Sequence, residues 1–348
     1  MRIAYVAHWD VGRESGVLKK MAMQTRLWQE KGQDVRLFAL SKSPGIWEGF
    51  GSIPTHVVAR GNILARQGNW SDLANAVLAW KPDVCYMRFT TFYPALGRML
   101  RKVPTIFEIN SDDLLEYRLR LSRSRYRYHR TTRGLILRRA RGLVVVGEQL
   151  ARNFRRFDKP VIVISNGIDL REYQVLPVST SATPRLAFMG YGQAWDGVDK
   201  VHRLAEAFPK WRFELVGPPA PPSVPANIRY HGVLRQSEYK QILTHCHIGI
   251  GPLALHRKGM NETSALKTTE YLAYGLPTIV GYRETDFAEA TPFLLEIPNT
   301  EDNIERCAPQ IADWVKQWKH RRVLHSQIAH IDATNKEDKR LAFFHTIL

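Results

Sequence analysis

Apolar residues fall in short runs along this chain. In the first half, the runs at 2–7, 34–40, 55–59, 84–89, 105–110, 143–146 and 161–165 are largely continuous and rich in β-branched residues. That pattern predicts parallel strands buried on both faces. Between them lie amphipathic stretches such as 17–31 and 72–80. The alternation reads as βαβ units around a parallel sheet. At 171–184 it breaks into REYQVLPVSTSATP, rich in Ser, Thr and Pro, which reads as a linker. A second series follows, with strands expected at 186–189, 212–216, 228–231, 248–253 and 278–281. Helices are expected at 198–208, 237–245, 265–274, 304–320 and 336–348. The expectation is α/β, with two domains of similar size and a cleft between them, and ligands beyond the carboxyl ends of the strands.

Composition narrows this reading. The 348 residues are 44% hydrophobic and 24% charged, which excludes global disorder. No apolar run approaches the roughly 18–20 residues of a membrane-spanning helix, and the opening MRIAYVAHWD reads as a strand rather than a signal segment. Cys85, Cys246 and Cys307 lie far apart with no C-x-x-C pair. That excludes a disulfide scaffold and a cysteine zinc site, and it suits a reducing cytoplasm. The net charge of +17 predicts an anionic partner. Ten arginines and no acid lie within 117–147, so more than half of the excess is one segment.

Candidate chemistry concentrates in NETSALKTTEYLAYGLPTIV, residues 261–280. Thr263 or Ser264 can cap a helix that ends at Gly275, with Pro277 and a strand beyond. Glu262 then precedes the helix and Glu270 sits two turns inside it. Between them the backbone N–H groups around Ala265 and Leu266 form an anion site suited to a diphosphate. A nucleotide sugar carries a diol-bearing ring on each side of its diphosphate. The spacing fits a hexose held by Glu262 and a ribose held by Glu270. Against this stands an amphipathic helix with two incidental glutamates; the strand–loop–helix–Gly-x-Pro–strand context favours the site.

The E-x7-E pair followed by EYLAYGLPTIV resembles the donor-site signature of glycosyltransferase family 4. So do VISNGID at 163–169, LAFMGYGQAWDGVD at 186–199, GIGPL at 249–253 and the glycine loop at Gly16–Val17, in the family's order. The resemblance covers nearly the whole chain. It implies the GT-B fold, two Rossmann-like α/β/α domains facing each other across a deep cleft. Residues 1–170 would form the acceptor-side domain and 171–184 the linker. Residues 185–330 would bind the nucleotide sugar, and 331–348 would form a helix packing back on the first domain. The family pattern places Glu262 against the donor sugar and Glu270 against the ribose, with Gly12 or Gly16 letting backbone approach the diphosphate. It further implies retention at the anomeric carbon, assisted by the leaving phosphate, with no metal or other cofactor and no enzyme nucleophile.

Two departures from the family stand out. The first loop of the second domain, Tyr191–Gly197, lacks the usual cation. Lys267 is the first candidate to replace it, at even odds with a solvated surface lysine; Arg257 and Lys258 are further options. Many relatives have a His in the strand-end segment where this chain has Asn110, which can orient a hydroxyl but not take its proton. Of Asp112 and Asp113, one is expected to cap the next helix. His8 is weighed slightly toward a structural role, and His245 and His247 are read as structural. The arginine segment, with Arg123, Arg125, Arg127 and Arg130 interleaved with Leu and Tyr, is read as facing anionic lipid headgroups or an acidic acceptor rather than as a solvated helix face. Nucleic acid is disfavoured, for want of a recognisable binding motif.

The leading expectation is therefore a retaining glycosyltransferase moving a sugar from a nucleotide-diphosphate sugar to a glycan or lipid-linked acceptor, in cell-surface polysaccharide or glycolipid synthesis. Its expected place is the cytoplasm, peripherally on the inner face of the plasma membrane. A catalytically silent, polyanion-binding protein of the same fold is the alternative. A GT-B enzyme of another class, such as a sugar-nucleotide epimerase or a phosphorylase, is disfavoured by the motif order.

Overall fold

The computed structural model describes residues 1–43, 45–62 and 65–348. The chain divides into two compact units, Met1–Ile164 with Thr334–Leu348, and Ser165–Ala333.

The first unit opens with β1 (Arg2–Ala7), α1 (Gly16–Glu30), β2 (Asp34–Ser41), β3 (Thr55–Ala59) and α2 (Ala65–Trp80). It continues through β4 (Val84–Arg88), α3 (Pro94–Lys102), β5 (Thr105–Ile109), α4 (Asp113–Arg120) and α5 (Arg123–Leu137). β6 (Gly142–Val145), α6 (Glu148–Arg155) and β7 (Val161–Val163) complete its sheet, in the order β3-β2-β1-β4-β5-β6-β7. Every pairing is parallel. The central strands are mostly apolar, as buried parallel strands are, with Glu108 of β5 a buried exception. The strand order reverses between β1 and β4, so a crevice opens beyond their carboxyl ends.

The second unit contains β8 (Arg185–Met189), α7 (Val198–Ala207), β9 (Arg212–Val216), β10 (Ile228–Gly232) and α8 (Gln236–Thr244). Next come β11 (Ile248–Ile250), β12 (Glu262–Thr263), α9 (Leu266–Ala273), β13 (Thr278–Val280), β14 (Arg283–Glu284), β15 (Leu294–Glu296) and α10 (Asn303–Trp318). Its main sheet runs β10-β9-β8-β11-β13-β15, again all parallel, and β12 pairs with β14 apart from it. Here the order reverses between β8 and β11.

The last helix, α11 (Ala333–Ile347), belongs to the first unit. Trp28 donates its indole N–H to Glu337 at 2.8 Å, Arg340 pairs with Glu337, and Phe344 packs edge-on to Trp28 at 5.6 Å. Residues 171–184, expected as a linker, instead pack within the second unit. Leu176 donates to the Tyr274 carbonyl, and Arg322 donates to the carbonyls of Leu176 and Pro177. Polar composition misleads there because the segment attaches through its backbone and through the few apolar side chains it has, Tyr173 and Leu176, both buried.

Candidate functional site

In the second unit, Glu262 lies on β12, held by pairing with Arg283, rather than in a loop. Neither Thr263 nor Ser264 caps α9. The cap residue is Ala265, whose side chain cannot accept, and Ser264 is drawn off to accept from the Asn166 backbone N–H at 3.1 Å. The first N–H groups of α9, at Ala265 and Leu266, therefore lack a side-chain cap, the arrangement that favours an anion. Gly275, at φ +81°, closes the helix, and its N–H donates to the Leu272 carbonyl. Glu270 is buried and accepts from Tyr239 Oη at 2.6 Å and Tyr173 Oη at 3.4 Å.

Lys267 is not the solvated surface lysine of the alternative reading. Its Nζ is 2.6 Å from Asp196 Oδ1 and lies over the Phe188 ring, 4.4 Å from the centroid. The side chain is only 15% exposed, so its charge is paired rather than solvated. Asp196 belongs to the loop where the family carries a cation. Gly190 ends β8 at φ +155°, and a Cβ there would collide with Lys267 Nζ. A cation on α9 thus pairs with an anion of that loop. Arg257 is committed elsewhere, to Asp199 at 2.7 Å and to Glu301 at 2.5 Å. Hydrogen bonds from Arg257 and Arg203 hold the Asp199 carboxyl down at about 2 against the effect of burial. Lys258 is buried over the Trp195 ring.

In the first unit, Gly12 donates to Asp10 at 3.3 Å, and Gly16 starts α1, whose cap Ser15 accepts from Leu18 N–H. Burial would raise the Asp10 carboxyl, but hydrogen bonds from Ser41 and Ser43 hold it below its usual range. A cavity of about 130 Å³ lies at the carboxyl ends of β1, β4 and β5, lined in part by His8, Trp9, Phe89, Asn110, Tyr117 and Arg120. Beneath it Lys20 and Glu108 form a buried ion pair, and Tyr86 donates to Glu108 at 2.9 Å. Burial pulls the Lys20 ammonium down to about 8, against the attraction of Glu108. Burial opposes ionisation of Glu108 too, but Lys20 and Arg88 hold its carboxyl far below the usual range. Lys20 Nζ also lies 3.4 Å from Asn110 Oδ1. His8 packs edge-on to Trp70 and Tyr93, with Nδ1 3.3 Å from Thr90 Oγ1, and burial lowers it to about 4.

Asp112 caps α4, accepting from the Leu114 and Leu115 N–H groups. Asp113 is an anchor: it accepts from both Nε and Nη2 of Arg133 at 2.6 Å and contacts His129 Nε2 at 2.6 Å. This pins the inner face of α5 and leaves Arg123, Arg125, Arg127 and Arg130 exposed. Leu115 and Leu119, 38% and 50% exposed, stand one turn apart on α4. Among the described residues, no helix is long and apolar enough to cross a membrane. His247 is buried, accepting from Arg185 N–H and lying 3.1 Å from the Ser181 carbonyl.

Sequence reasoning missed Lys20–Glu108, Asp196 and the two tyrosines on Glu270. The first pair had a signal, since a lone charge stands in the otherwise apolar run TIFEI. The tyrosines had none, because they come from segments distant from Glu270 in sequence.

Residues 15–167 match the model of the glycosyl transferase 4-like domain. No curated protein sequence is significantly similar to the chain. Solved structures of similar fold include an α-glucosyltransferase in complex with UDP and a 13-mer DNA containing a HMU base, at TM-score 0.67 and 13% identity, covering 99% of each chain. The pneumococcal O-GlcNAc transferase GtfA in complex with UDP and GlcNAc gives TM-score 0.72 and 11% identity, covering 99% of each chain. HepE of Anabaena in complex with UDP and glucose gives TM-score 0.66 and 14% identity, covering 100% of each chain. Residues 15–167 are therefore similar to a glycosyl transferase 4-like domain, and the chain as a whole has the GT-B fold of two Rossmann-like units.

Proposed function

We propose that the protein is a retaining glycosyltransferase that moves a sugar from a uridine-diphosphate sugar to a glycan or lipid-linked acceptor. The observation that carries this reading is the pair Glu262 and Glu270 on either side of the α9 N-terminus, which has no side-chain cap. Glu270 accepts hydroxyl protons of the ribose and Glu262 those of the transferred sugar. The diphosphate lies against the Ala265 and Leu266 N–H groups, with Lys267 neutralising charge that grows as the glycosyl bond breaks. At Gly12 and Gly16 the β1–α1 segment of the first unit presents backbone with no Cβ. The choice of uridine is supported by the UDP held by the solved relatives.

Retention follows from attack on the face the leaving phosphate vacates, with that phosphate taking the acceptor's proton. Asn110 can orient the acceptor hydroxyl but cannot deprotonate it. The cavity beside Asn110, with Trp9, Phe89 and Tyr117 among its lining, suits a sugar ring. The reaction proceeds without a metal. The exposed arginines, with Leu115 and Leu119, engage an anionic lipid surface, consistent with cell-surface polysaccharide or glycolipid synthesis.

A nucleic-acid acceptor is the second reading, favoured by the DNA held by one solved relative. Incubation with UDP-sugars tests the proposal by UDP release and by NMR of the product. A silent protein releases no UDP above background. An inverted linkage would remove the retaining mechanism, and EDTA inhibition reversed by Mn²⁺ would remove the metal-free one. Co-sedimentation with anionic vesicles against binding of duplex DNA separates the two acceptor readings.

A further inference from the structure

Glu270 is 7% exposed, and two phenol hydroxyls converge on the same oxygen, Oε1. Tyr239 comes from α8, and Tyr173 follows a short helical turn at Leu170–Glu172, so two separate segments are recruited to one atom. The Tyr239 contact, 2.6 Å, has the length of a charge-assisted O–H···O⁻ bond. Tyr173 is itself held. Tyr173 packs edge-on to Tyr274 at 4.9 Å, and Gln236 Nε2 donates to Tyr274 Oη at 2.8 Å. Burial and the Glu270 charge both push the two phenols well above their usual range, so they stay protonated donors at any working pH.

A glutamate on a helix has three side-chain torsions to fix before it can meet a diol. A carboxylate already gripped through one oxygen spends less of its binding energy on ordering. Phenols suit the task because they orient the carboxylate without neutralising it, so it still attracts hydroxyl protons.

We infer that Tyr239 and, more weakly, Tyr173 are positioning residues that aim the Glu270 carboxylate at the ribose hydroxyls of the nucleotide. This rests on the donor-site reading above. It differs from a purely structural role, in which the phenols only satisfy a buried carboxylate and tie α8 to α9.

The test measures dissociation constants of UDP and 2′,3′-dideoxyuridine diphosphate by calorimetry, for wild type, Tyr239→Phe and Tyr173→Phe. Wild type should prefer UDP by about tenfold or more, the worth of hydrogen bonds to a charged group. Tyr239→Phe should raise the UDP constant about tenfold and leave the dideoxy constant within about twofold. Tyr173→Phe, whose bond is longer, should shift the same ratio by about two- to threefold. Because the readout is a ratio of two ligands on one protein, a general loss of stability does not mimic it. Equal weakening of both ligands, or an unchanged ratio in both variants, overturns the inference alone. A wild type that binds both ligands equally, or neither, overturns the ribose reading of Glu270 and the inference with it.

Discussion

Glu262 and Glu270 differ in what a substitution should expose. Glu270→Ala should weaken UDP itself by about 1.5–3 kcal/mol, since its proposed partner is on the nucleotide. Glu262→Ala should leave UDP affinity nearly unchanged and lower turnover. Calorimetry and a UDP-release assay check both, and two variants that match wild type in both assays would remove the donor site. Lys267 poses a subtler question, because its charge is shared with Asp196 at 2.6 Å. Lys267→Met should weaken UDP but not uridine, which lacks the diphosphate. Asp196→Asn should tighten UDP, because the ammonium then has only the phosphates to answer. If UDP affinity ignores both changes, Lys267 is a structural ion pair. At this scale the sequence showed which residue types lie near α9 but not their partners. Ser264 looks like a cap and binds Asn166; Lys267 reads as a phosphate cation or a solvated lysine, and Asp196 beside it goes unseen. Each side chain chose the nearest complementary group in space, which local sequence does not encode.

Among the elements, the α4–α5 pair carries the arginine excess, and Asp113 decides how it is presented. The carboxylate is buried, yet hydrogen bonds from His129 and Arg133 hold it below its usual range despite desolvation. Asp113→Asn strips the partner from a buried guanidinium, a change that costs about 3–5 kcal/mol in comparable pairs. Urea unfolding of the variant measures it, and a midpoint like wild type would mean that α5 is held by apolar packing alone. The outer face is a separate matter. Changing Arg123, Arg125, Arg127 and Arg130 to Gln should sharply cut sedimentation with anionic vesicles, each arginine near such a surface being worth about 1 kcal/mol. UDP binding should survive, since Glu262, Lys267 and Glu270 belong to the other unit. Tight duplex binding by a wild type that ignores vesicles would transfer the surface to nucleic acid. Strands and most helices were legible here, because buried parallel strands are apolar on both faces. The β12–β14 pair was not, since two-residue strands carry no periodicity.

At the scale of the whole chain, the two-unit α/β plan could be read from alternation, whereas the joint between units could not. Composition placed it at 171–184, yet the contacts divide the chain at Ile164 and again at Ala333. In each unit burial pulls one histidine, His8 and His247, below its usual range. Burial lowers His8 to about 4, with Arg66, Arg60 and Arg125 adding repulsion. Burial likewise lowers His247 to about 4 against its backbone hydrogen bonds, and Arg322 and His320 add repulsion. An unfolded histidine titrates near 6.5. Between about 6.5 and 4 the unfolded chain therefore binds more protons than the folded one, so stability rises with pH across that window. The contribution is complete above it and is lost as pH falls through it, on the order of 2 kcal/mol for each residue. Buried carboxylates such as Glu108 and Asp113 add their own losses at lower pH, because their folded values are depressed. Thermal melts at pH 7, 6, 5 and 4.5 should show a falling midpoint, and His247→Gln should shrink the drop by removing one titrating group. A wild-type midpoint that stays level from pH 7 to 4.5 would mean that both imidazoles accept a proton in the folded state.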